Sequence, residues 1–143
     1  MRRFLVVTNQ TSGGAALFAR IRECLTEGPC RFSVVVPATA VSEQLMSGPG
    51  DAAIIAQRRL LGTLARFRAE GAVPSGEVGP ADALEAVLSV LARGDVFDEI
   101  IVSTLPPGIS RWIHQDLVHR LARATGLPVT HVVPTRRERR VAV

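Results

Sequence analysis

Asp98-Glu99-Ile100-Ile101-Val102-Ser103-Thr104-Leu105-Pro106-Pro107-Gly108-Ile109-Ser110-Arg111-Trp112 is the stretch whose reading decides the fold. Ile100-Ile101-Val102 is a short apolar run bounded by charge, the pattern of a strand buried on both faces. A Pro/Gly turn follows, and Ser110 is placed to cap a helix. That helix carries Ile113, Leu117, Val118, Leu121 and Ala124 at helical spacing, and Gly126 with Pro128 stops it. A buried strand, a tight polar turn and a helix N-terminus form the ligand-bearing corner of an open α/β sheet.

The flanking sequence supplies a matching framework. Downstream, Val129 to Val133 reads as the last strand, ended by Pro134. Upstream, Gly79-Pro80-Ala81-Asp82 opens a helix with proline at its first position and an acid in its first turn. Leu84, Val87, Leu88 and Leu91 give that helix its apolar face, and a short strand around Gly76 to Val78 precedes it. A long helix is predicted from Asp51 to about Glu70, with Arg58, Arg59, Arg66 and Arg68 on its wet side and Gly62 weakening it slightly. Between it and the strand Phe32 to Val36 lies a polar loop, Ala38 to Gly50. At the start, Phe4 to Val7 is a strand leading through Thr8-Asn9-Gln10-Thr11-Ser12-Gly13-Gly14 into a helix. That helix buries Leu17, Ile21, Cys24 and Leu25 and ends at Gly28-Pro29. The alternation βαβαβαβαβ means a parallel sheet with helices on both faces, joined by right-handed crossovers.

Composition narrows the function classes. The 143 residues suffice for one domain with a real core, residues 1–134, followed by an arginine-rich tail, 135–143. All 17 basic residues counted as Lys+Arg are arginine, and tyrosine is absent, a pattern that fits codon bias better than chemistry. The net charge of +4 sits largely in Arg136-Arg137-Glu138-Arg139-Arg140, and no aromatic residue interleaves with it to stack bases. This argues against a nucleic-acid surface in the domain. No apolar run approaches the roughly 18 residues of a membrane helix. The short apolar N-terminus lacks a cleavage site, so a cytoplasmic protein is expected. Cys24 and Cys30 form no CxxC pair, and Cys24 continues an apolar helix face, as a packed reduced thiol does.

Three places carry a family resemblance. The opening Phe4-Leu5-Val6-Val7-Thr8-Asn9 and the small-residue helix start after it are similar to the first strand and turn of universal stress proteins. The run Gly76 to Val87, with Gly79, Pro80 and Ala83, looks like the opening of that family's third helix. Asp98-Glu99-Ile100-Ile101-Val102-Ser103-Thr104 resembles its fourth strand. The resemblance implies a doubly wound five-stranded parallel sheet of order 3-2-1-4-5, with helices on both faces. Strands one and four would then meet at a topological switch point, where ligands bind.

The departures from the family bear on the ligand. Nucleotide-binding members follow strand four with G-x-x-G and, further on, Gly-Ser or Gly-Thr, whose amides cradle phosphates. Here Gly108 alone fills a glycine position, Pro106 and Pro107 replace N–H donors, and no Gly-Ser pair follows. ATP or another anionic ligand is the cofactor class considered, with ATP binding degraded. The candidate crevice comprises Thr8, Asn9, Ser12, Gly13, Gly14, Ser103, Thr104, Gly108, Ser110 and Arg111. Their hydroxyls, amides and one guanidinium suit a phosphate or carboxylate. The alternative reading of the same groups is a helix start, a cap and a surface ion pair.

No catalytic or metal residue is assigned. Ser12-Gly13-Gly14 resembles the loop of ATP pyrophosphatases, but Ala16 and Leu17 stand where that chemistry needs Asp and Ser. His114 and His119, five apart on a helix, do not face one another, and His131 adds no metal-ligand spacing. The expectation is a universal-stress-like small-ligand-binding or regulatory protein without robust catalysis. The alternatives are an ATP-binding member with weak hydrolysis and a structural dimerisation module. In the 3-2-1-4-5 order, Val129 to Val133 is an apolar edge, so a homodimer through it is expected, as the family resemblance also implies.

Overall fold

Among the described residues nine elements alternate in the expected order: β1 (Arg2–Thr8), α1 (Ala15–Glu27), β2 (Cys30–Pro37), α2 (Pro49–Ala69), β3 (Pro74–Gly79), α3 (Ala83–Ala92), β4 (Glu99–Ser103), α4 (Arg111–Thr125) and β5 (Val129–His131). The structure is a computed structural model; it describes residues 1–8, 14–38, 49–103 and 111–132, with the backbone alone described at 49–52 and 111–115. The five strands form one parallel sheet of order β3-β2-β1-β4-β5. This is the doubly wound α/β fold that the strand and helix pattern predicts.

Alternation along the central strands divides the core in two. Phe4, Val6, Phe32, Val34 and Ile101 pack with Leu17, Phe18 and Ile21 of α1 and with Leu60, Leu64 and Phe67 of α2. Leu5, Val7, Val35, Ile100 and Val102 pack on the other face with Ala86, Val87 and Val90 of α3 and Leu121 of α4. Aromatic residues are few, yet four share one cluster. Phe32 stacks on Phe4 at 5.3 Å, and Phe67 meets Phe32 and Phe18 edge-on at 5.4 and 5.1 Å.

Several local expectations are corrected. α3 begins at Ala83, so Pro80 lies outside it; Asp82 is its N-cap, accepting from the Leu84 and Glu85 amides at 2.8 and 3.2 Å. Its buried stripe is Ala86, Val87 and Val90, with Leu84 and Leu91 at the margin and Leu88 turned out. α2 takes in Pro49 and Gly50, for which the sequence pattern predicts a loop. Arg59 is half-buried rather than on the wet side, and Ala124 is exposed. β5 ends at His131, although the Val132 amide still donates to the Val102 carbonyl at 2.8 Å.

Edge strand β3 is gripped from both faces through two glycines. A Cβ at Gly76 would lie 2.6 Å from Leu60 of α2, and one at Gly79 2.9 Å from Ala86 of α3. Both helices approach the strand closer than any side chain permits.

Candidate functional site

The switch point lies between β1 and β4, the strands from which the chain winds in opposite directions. Thr8 and Ser103 close the two strands as a register pair, and both are buried, 1% and 2% exposed. Each sits two residues beyond a side chain of the α1-side cluster, Val6 and Ile101, so both hydroxyls face α1. Thr8 is engaged in a polar contact within the chain.

Two helices open at this end of the sheet, on opposite faces. α1 follows Gly14, which offers no side chain to cap its first-turn amides; the Gly14 carbonyl accepts from the Phe18 amide at 2.9 Å. A Cβ on Gly14 would press on the Phe18 ring at 3.2 Å, so the glycine lets the ring pack against the start of α1. α4 opens at Arg111. The positive ends of both helix dipoles thus lie at the end of the sheet where β1 and β4 finish at Thr8 and Ser103. The structure pairs Thr8 with Ser103, while Gly14 and the backbone of Arg111 stand at helix starts at the same end of the sheet. Asn9, Ser12, Gly13, Thr104, Gly108 and Ser110 lie outside the described residues, in the two segments that leave β1 and β4.

A solved structure, that of a universal stress protein from Archaeoglobus fulgidus, matches 92% of this chain and 93% of its own, with a TM-score of 0.57 and 14% identity. The fold is the universal stress protein fold. No family model and no curated protein matches the sequence. The universal-stress-like sheet order therefore stands on tertiary structure.

The other polar features lie away from the β1/β4 switch point. At the opposite end of β4, Glu99 is a buried carboxylate that the sequence reading did not single out. It accepts from Arg20 at 3.2 Å and from the Thr130 hydroxyl at 2.9 Å, with Arg2 at 3.7 Å. Burial opposes the charge of Arg20, but its bonds to Glu99 and Glu23 outweigh burial and raise its pKa. This cluster ties α1, β1, β4 and β5 together at the base of the sheet. A cavity of about 180 Å³ on the α3 side is lined by Ser33, Ser75, Glu77, Arg93 and Asp95 among others. It too lies away from the strand ends that bear Thr8 and Ser103. Cys24 and Cys30 are free and buried, and burial raises both thiol pKa values, as expected of packed thiols. Among the described residues no group of three His, Cys, Asp or Glu is placed to hold a metal ion. Nor, among them, is any helix long and apolar enough to cross a membrane.

Proposed function

We propose that this chain is a cytoplasmic, universal-stress-like ligand-binding or regulatory protein that holds a small anionic ligand in the β1/β4 crevice, without robust catalysis. The observation that supports this reading is the buried register pair Thr8 and Ser103, set between the openings of α1 and α4. Hydroxyls at the strand ends, with a helix start on each face of the sheet and no side-chain cap on α1, suit an oxyanion better than a cation. Arg111, first residue of α4, is the arginine that the crevice reading assigns to the anion. Pro106 and Pro107 remove two amides that a triphosphate-binding turn would use, so ATP is expected to bind no tighter than about 100 μM, or roughly 5.5 kcal/mol.

The tests are direct. Native mass spectrometry of gently purified protein reads both a retained small ligand and the oligomeric state. Sulfate or phosphate should raise the melting temperature more than chloride at equal ionic strength, and Arg111→Ala should remove the difference. A wild type indifferent to the anion refutes the reading, and micromolar ATP affinity by calorimetry refutes the expectation for ATP. The same proposal includes a homodimer through Val129 to Val133, because β5 is an edge of the sheet.

A further inference from the structure

The buried stripe of α2 is Ala56, Leu60, Leu64 and Phe67. Leu60 and Leu64 lean toward β3, where they crowd the Cβ position of Gly76 at 2.6 and 3.1 Å. Arg66 occupies the opposite flank, its guanidinium 4.5 Å from the centre of the Phe18 ring of α1. Arg59 precedes Arg66 by seven residues. Two helical turns therefore put it on the same flank, about 10.5 Å nearer the start of α2. It stands in the groove between α2 and α1.

The height of Arg59 follows from its neighbour Leu60. Leu60 meets Gly76, which is in register with Val34, and Val34 is in register with Val6. Thr8 lies two residues further along β1, about 6.6 Å. α2 runs back from the C-terminal end of the sheet to feed β3, and helical side chains lean toward their own N-terminus. An arginine leaning that way covers the remaining distance to the level of Thr8 and Ser103.

Arg59 is also electrostatically anomalous. Its Nε is sealed from solvent without an acceptor, and among the described residues no acid pairs with it. Arg20, Arg22 and Arg93 each hold a glutamate, and Arg66 covers an aromatic face. At Arg59 burial acts alone and lowers the pKa. A half-buried cation without a counter-charge opposes folding, and a neutral side chain would serve this flank better.

We propose that Arg59 is a ligand-binding residue whose guanidinium reaches along the α1–α2 groove to hold the anionic group of the ligand in the crevice. This rests on the reading of the crevice as an anion site, and adds a charge that the sequence pattern placed on the solvent side. The planar fork of donors matches an oxyanion, and the dry surroundings of Nε strengthen the contact.

Inorganic phosphate is the probe, titrated by calorimetry into the full chain in chloride buffer of equal ionic strength. Wild type binds, and Arg59→Gln weakens binding by about tenfold or more. In chloride alone Arg59→Gln melts at or above wild type, because the uncompensated charge is gone. Arg59→Lys, which keeps the charge without the fork, is expected to fold and to bind phosphate more weakly than wild type. A wild type that does not bind phosphate overturns both the inference and the crevice reading. A wild type that binds, with the Arg59 variant binding equally well, overturns the inference alone. Arg59→Gln melting well below wild type in chloride also overturns it, since the arginine would then be serving the fold.

Discussion

Gly76→Ala tests how β3 is held, and its effect can be worked out from distances. The new methyl carbon would stand 2.6 Å from Leu60 Cδ1, 3.1 Å from Leu64 Cδ2 and 3.0 Å from the Val34 carbonyl oxygen. The two leucine tips could turn away, but the carbonyl belongs to the neighbouring strand and cannot move without disturbing the β2–β3 ladder. Leu60 is 3% exposed, so its alternative rotamers run into packed core. Overpacking of this kind costs about 1–3 kcal/mol. At roughly 4 °C per kcal/mol for a chain of this size, melting should fall by about 4–12 °C. Gly62→Ala is the internal control. It lies in α2, exposed, with nothing within 4 Å of its Cβ position, and should gain up to about 1 kcal/mol from helix propensity. Both variants are compared by thermal and urea unfolding. A Gly76→Ala protein as stable as wild type would refute the close approach of α2 to β3. So would a Gly62→Ala protein destabilised as much as Gly76→Ala.

Further outcomes follow from the charges and the sheet edge. Burial lowers the pKa of His131, so as pH falls through about 6.5 the unfolded chain takes up the proton first and stability declines until the folded pKa is passed. Melting scans between about pH 7 and 5 should show this decline in wild type and not in His131→Gln; a decline unchanged in the variant counts against it. The hydrogen bond from Arg93 lowers the pKa of Glu77, so its contribution persists above the ordinary carboxylate range and is lost as pH falls through the folded value. Glu99→Ala leaves Arg20 facing no buried carboxylate and should cost about 2–3 kcal/mol, less than a fully sealed pair because Arg20 still reaches water. A loss near 0.5 kcal/mol in urea unfolding, typical of a surface change, would contradict it. For the dimer, proline at Val132 is a poor probe, because that amide donates within the chain to Val102. Pro128 and Val132 face β4, so the Val129 amide points to the open edge and Val129→Pro should yield a folded monomer. Sedimentation equilibrium finding wild type already monomeric at tens of micromolar (an approximate range for association through one strand edge) would exclude the dimer.

Fold class was legible because it depends on local pattern. Val34-Val35-Val36 and Ile100-Ile101-Val102 are continuous apolar runs that only a strand covered on both faces can use, and β2 and β4 are such strands. Gly28 and Gly126 ended their helices where expected, each at a positive φ, 144° and 71°. Of the proposed crevice, the strand ends Thr8 and Ser103 were placed by the strand pattern and are a buried register pair. Tertiary structure decided the rest, because helical periodicity gives spacing but not the angle at which a helix meets its sheet. Rotating the buried stripe of α3 exposes Leu88 and buries Ala86 and Val90, and the packing of α2 half-buries Arg59. Glu99 reads in sequence as the charged boundary of a strand. It is buried because Arg20 and Thr130, brought from 79 residues before and 31 after, supply hydrogen bonds in place of water.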